Sequence, residues 1–131
     1  MQTGSSPHSP ARRGFTLMEM AVVLAILGVL LRMATPSFQR AILRSREAVL
    51  RQDLAALREA IDGFHADHRR YPESLQHLVE KRYLRQLPVD PFTRRADSWL
   101  TVAAEDEAGG IFDVHSGTDL VGLDGTPYNT W

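Results

Sequence analysis

The sequence predicts an α+β fold: a long N-terminal helix, first apolar enough to enter a membrane and then amphipathic, packed on a small antiparallel β-sheet. Three observations predict it. From residue 15 to residue 31 the chain stays apolar around a single embedded carboxylate, Glu19. Beyond Pro36, the residues Leu50, Leu54, Leu57, Ile61 and Phe64 recur at alternating spacings of four and three, which lays one apolar stripe along a helix face. Further on, residues 99–102 and 111–114 are short runs of strand-forming residues, and the acidic, glycine-ended stretch 105–110 between them reads as a hairpin loop.

The elements follow in chain order. Residues 1–14 are polar, rich in Ser and Pro, and read as a leader to be discarded. Residues 15–35 form a segment of 21 residues, about 32 Å as helix and therefore long enough to cross a bilayer. An ionised carboxylate in hydrocarbon costs on the order of several kcal/mol, so Glu19 needs a partner, and an amine suits it best. Arg12 and Arg13 precede the span, whereas Arg32, Arg40, Arg44 and Arg46 follow it, so the positive-inside count alone favours the opposite orientation. Pro36 is expected to interrupt or bend the helix, which resumes as an amphipathic helix over 37–69 with Gly63 a mild weakness near its end. The face opposite the stripe is expected to be solvated, with Glu47–Arg51 and Arg58–Asp62 paired at helical spacing. Tyr71-Pro72-Glu73-Ser74 breaks the helix and opens a short one over 73–83 through Leu75, Leu78 and Val79. Pro88 and Pro91 force an extended linker, the small sheet occupies 98–115, and 116–131 is loop unless something ties it down.

Composition narrows the function. A chain of 131 residues holds one small domain plus a membrane segment and has no room for a two-domain enzyme. Cysteine is absent, which removes disulfides, thiolate chemistry and Cys-ligated zinc. The net charge of −1 hides an asymmetry: residues 32–95 carry 13 Arg and Lys against 8 Asp and Glu, whereas residues 96–131 carry none against 7. Such polarity could lay the tail of one copy against the stem of another, or gather carboxylates for a cation. Nucleic acid is not expected, because the arginines alternate with acids and lack an array of base-stacking aromatics. No nucleophile, base and orienting acid are arranged for catalysis and no phosphate loop is present, so the chain does not read as an enzyme. An ordinary secretory signal would end in small residues after the apolar run, where this chain has Arg32-Met33-Ala34-Thr35-Pro36. A plain membrane anchor would leave Glu19 without a purpose.

Two clusters bear on metals. Asp113, Ser116, Asp119 and Asp124 fall within twelve residues among glycines, a composition that suits calcium, which takes six to eight oxygens. The same residues also suit a solvated acidic turn region. His65 and His68 lie three apart on the helix without a third ligand at suitable spacing, and read as surface residues.

The string Arg12-Arg13-Gly14-Phe15-Thr16-Leu17-Met18-Glu19, with the apolar run and Pro36 behind it, resembles the processing signal of type IV pilins and of the pseudopilins of type II secretion. The resemblance implies that a prepilin peptidase cuts after Gly14, that the new amine of Phe15 is methylated, and that Glu19 pairs with the N-terminus of a neighbouring subunit. Further along, Tyr71-Pro72, Tyr83-Leu84, Leu87-Pro88-Val89-Asp90-Pro91-Phe92 and Phe112-Asp113-Val114-His115-Ser116-Gly117 resemble the succession in the major, G-type pseudopilin family. The short tail departs from that pattern, and the missing cysteines set the chain apart from the many pilus-forming pilins that carry a C-terminal disulfide loop. The expectation is a type IV pilin-like fold and a structural subunit of a type II secretion pseudopilus. It would sit in the bacterial inner membrane as a single-pass protein with a periplasmic C-terminal domain and polymerise into a helical homo-oligomeric fibre. Its partners would be other pseudopilins, the peptidase and the inner-membrane secretion platform, with calcium in the C-terminal loop as the one cofactor. The alternatives are a type IV or minor pilin serving adhesion, motility or DNA uptake, and a membrane-anchored periplasmic calcium-binding module.

Overall fold

The computed structural model describes residues 3, 4 and 16–131, and the chain divides into two units, residues 1–39 and 40–131. Helix α1 (Leu17–His68) supplies the described secondary structure of the first unit and opens the second. Its apolar side chains in the first unit are exposed throughout, from Leu17 at 92 % to Met33 at 73 %.

Proline lacks the N–H that a helix needs, and an interruption or a bend was the expectation at Pro36. The helix runs through Pro36 without an interruption. Thr35 lies beside it and donates its hydroxyl to the Leu31 main-chain oxygen at 2.7 Å. This is ordinary back-bonding to the carbonyl four residues earlier, distinct from the Arg32 carbonyl that Pro36 leaves without its helical donor.

In the second unit the apolar stripe meets its cover. Leu50, Leu54, Leu57, Ile61 and Phe64 are each 2 % exposed or less, packed with Leu78, Val114 and Tyr128. Arg69, in the left-handed region at φ 55°, stops α1, and Tyr83 ties the last turn by donating its hydroxyl to Asp67 at 2.5 Å. His65 stacks on Tyr71 and His68 on Phe64, each with ring centres 4.3 Å apart, so both histidines serve as aromatic packing. Helix α2 (Leu75–Glu80) begins at Ser74, whose hydroxyl accepts from the His77 N–H at 3.1 Å, an N-cap that satisfies a donor with no partner inside the helix.

Strands β1 (Leu100–Ala103) and β2 (Ile111–His115) pair antiparallel. Their register slips between Val102 and Ala103, because Val102 faces Asp113 and Ala103 faces Ile111, which leaves Phe112 as an extra residue. The bulge has a packing consequence. Strict alternation would send Ile111 and Val114 to opposite faces, whereas here both are buried and Phe112 is exposed. Gly110 allows the strand to start where it does: its φ is +98°, and a Cβ there would sit 2.8 Å from the Tyr71 carbonyl oxygen. The α+β arrangement expected from the sequence is the one observed.

The opposite helix face departs from expectation. Glu47 is 7 % exposed and Arg58 is bonded to Asp113, so neither makes the solvated helical pair assigned to it. Both turn toward the C-terminal segment, which is not free loop: it holds a bridge between Val121 and Pro127 and a 3₁₀ turn, Tyr128–Thr130.

Candidate assembly site

The first candidate site lies at the start of α1. Thr16 caps the helix, its hydroxyl accepting from the Glu19 N–H at 3.2 Å while its carbonyl accepts from Met20 at 3.1 Å. Thr16 and Glu19 stand at capping-box spacing, and an acid in the first turn also favours the positive end of the helix dipole. The bond to Thr16 is made by the Glu19 main-chain N–H, and the carboxylate stands where the helix dipole favours negative charge. It is exposed, as are the apolar residues that follow it. None of the most apolar stretch of α1 is buried against the rest of the chain. An uncovered apolar surface of this length has to meet lipid or another protein surface. The expected cleavage and methylation positions, Gly14 and Phe15, lie outside the described residues.

The second candidate was the acidic C-terminal region, which the structure disperses. Asp113 Oδ1 accepts from Arg58 Nε at 2.8 Å. Ser116 is buried and donates its hydroxyl to Asp90 Oδ2 at 2.5 Å. Asp119 is exposed, and Asp124 Oδ1 accepts from the Thr126 N–H and hydroxyl at 3.0 and 2.6 Å. These four side chains do not converge on one point, and among the described residues no three His, Asp or Glu side chains are grouped to hold a metal ion. Among the described residues, the side chains named for calcium therefore do not form one ligand group by themselves.

The residue that sequence reasoning passed over is Asp90. Although fully buried, it has donors for both oxygens: Oδ1 accepts from the Phe92 N–H at 2.8 Å and the Thr93 N–H at 3.4 Å, and Oδ2 from Ser116. Its carboxylate joins the proline-bounded linker to the end of β2. Asp before Pro is ordinary turn chemistry, which was the one signal available. Burial, and then the charge of Asp90, raise the pKa of Asp53 on the facing helix. Asp113 moves the other way. Burial is the largest influence and pushes its pKa up, but the Val114 N–H and the Arg58 guanidinium together outweigh it and hold the carboxyl below its ordinary value.

A long apolar helix followed by a small α+β unit is the arrangement of a pilin-like protein. Residues 9–34 match the prokaryotic N-terminal methylation motif. The type II secretion system core protein G of Klebsiella pneumoniae is 38 % identical, the match covering 62 % of this chain and 69 % of the relative. The protein of the same name from Escherichia coli K12 is 31 % identical, over 62 % of this chain and 67 % of its own. The type IV major pilin protein PilA of Myxococcus xanthus is 37 % identical, but across 52 % of this chain and 31 % of its own. No solved structure matches significantly. The chain belongs to the type II secretion system core protein G family.

Proposed function

We propose that this protein is a structural subunit of a type II secretion pseudopilus, processed after Gly14, methylated on Phe15 and polymerised into a periplasmic fibre through its apolar helix. The observation that carries the reading is the uncovered apolar length of α1 with Glu19 in its first turn. Such a helix leaves lipid for a fibre core without meeting water, because packing against neighbouring helices replaces packing against acyl chains. Within that core Glu19 supplies register. Unpaired it is costly, and opposite the Phe15 amine of an adjacent subunit it is compensated, so the correct offset is favoured over slipped ones. The core protein G relatives and the methylation motif support this reading, and inner-membrane anchoring follows from the same helix.

Mass analysis of the N-terminal peptide, on protein extracted from membranes that contain an active prepilin peptidase, tests it. The expected peptide begins at Phe15 and carries one added methyl group. An intact leader in that preparation overturns the proposal. A topology reporter fused after Trp131 gives an independent check, with a periplasmic signal expected and a cytoplasmic one refuting the orientation.

A further inference from the structure

The family resemblance implies calcium in the C-terminal loop, and three of the four side chains named for it, Asp113, Ser116 and Asp124, are engaged elsewhere. We propose that the C-terminal segment, residues 116–131, is closed by charged side chains of α1 itself, with Glu47 as the anchoring carboxylate and Arg51 and Arg58 as the cations, so that its fold does not depend on calcium.

A loop of carboxylates held by calcium needs two things from the ion: positive charge to offset the acids, and a centre to which distant backbone segments are tied. In this chain α1 provides both. Residues 96–131 contain no Arg or Lys, so every side-chain ammonium or guanidinium that reaches them comes from outside. Glu47, Arg51, Leu54 and Arg58 follow one another at spacings of four, three and four, which places them on one face of the helix. The C-terminal segment lies on that face. Arg58 donates to Asp113 Oδ1 at 2.8 Å, to the Val114 carbonyl at 3.0 Å and to the Trp131 main-chain oxygen at 2.6 Å. Arg51 sits 4.5 Å from the centre of the Trp131 ring, and its charge adds to the Thr126 bonds that lower the pKa of Asp124.

Glu47 does the tying. Its Oε1 accepts from the Leu123 N–H and from the Tyr128 hydroxyl, both at 2.8 Å, so a helix carboxylate binds two points of the segment at once. Bonds to a carboxylate acceptor are stronger than neutral ones, and the one from Tyr128 is buried away from water. Gly122 permits the approach: a Cβ there would lie 3.2 Å from Glu47 Oε1 and 3.0 Å from the Trp131 ring. A calcium ion entering beside Asp113 would face the Arg58 guanidinium, and one beside Asp124 would share a carboxylate whose Oδ1 already accepts both Thr126 bonds. This inference concerns how the unit folds, and it stands apart from whether the fibre assembles.

Hydrogen exchange on the detergent-solubilised full chain tests it. Amide protection across residues 120–130, and the melting temperature followed by tryptophan fluorescence, are measured with a chelator and again with millimolar calcium. Both are expected to be unchanged. Glu47→Ala should speed exchange at Leu123 by at least about tenfold, the effect of losing a charge-assisted bond to a part-buried amide, equally with and without calcium. Protection or melting temperature that rises with calcium in the unmodified protein overturns the proposal. So does a Leu123 amide as protected in a folded Glu47→Ala variant as in the parent. Should that variant fail to fold, the calcium comparison on the unmodified chain decides.

Discussion

Asp90 shows what a buried charge demands of its surroundings. With no cation beside it among the described ion pairs, the carboxylate rests on two backbone N–H groups and the Ser116 hydroxyl, each of which would otherwise be orphaned when the linker folds over. Asp90→Ala removes the acceptor and leaves those donors buried, so a loss of about 3 kcal/mol or more is expected in denaturant unfolding, against a much smaller loss for Ser116→Ala. Asp113 and Tyr128 mark the two pH limits of the same region. The carboxyl of Asp113 is held below its ordinary value of 3.8, so the unfolded chain binds its proton more readily. Its contribution is therefore complete above that value and is lost as pH falls through the folded pKa. Burial and the Glu47 bond push Tyr128 above its ordinary value of 10.0, so its contribution is complete below that value and is lost as pH rises past it. Melting temperatures across pH should accordingly show an acid limb that flattens in Asp113→Asn and an alkaline limb that flattens in Tyr128→Phe.

Among the elements, the short helix α2 carries an avoidable strain. Arg82, immediately after its C-cap, sits at φ 66° with its N–H bonded to the Val79 carbonyl at 3.1 Å, a left-handed position that suits glycine. A non-glycine residue there costs about 1–2 kcal/mol, and glycine's extra freedom in the unfolded chain gives back part of the gain, so Arg82→Gly should stabilise the fold by roughly 0.5–1 kcal/mol. Leu57, fully buried at the centre of the stripe, should lose about 2–5 kcal/mol on substitution by Ala. That stripe was legible from sequence because helix periodicity depends only on neighbours three and four residues away. The polar face was not legible for the converse reason. Glu47 meets Leu123 and Tyr128 across separations of 76 and 81 residues, and the local sequence around it offered Arg51 as an equally sound partner. Likewise the β2 bulge depends on the partner strand, so nothing local distinguished Phe112 as the residue to be turned out. The N-terminal methylation motif, by contrast, was legible, since its recognition is a property of consecutive residues.

For the whole molecule the decisive question is which of two roles Glu19 plays, because its spacing from Thr16 suits a capping box and the assembly reading gives it a partner in another subunit. The two make different demands on charge. The cap bond at Thr16 uses the main-chain N–H of residue 19, and a side-chain bond back to the Thr16 N–H would be open to glutamine nearly as well as to glutamate. Pairing with a methylated amine inside an apolar core requires the negative charge itself, since a neutral amide would leave the partner's ammonium uncompensated. Glu19→Gln therefore separates them without disturbing the start of α1. Processing at Gly14 is expected to proceed in Glu19→Gln and in Glu19→Leu, with both proteins recovered from the membrane in cleaved form, while fibre assembly followed by shearing and electron microscopy falls sharply in both. Normal fibres from Glu19→Gln together with defective ones from Glu19→Leu would assign the residue to helix capping. In that case the register of the fibre would have to come from the exposed apolar side chains of α1 alone, whose interchangeable contacts discriminate poorly between one offset and the next.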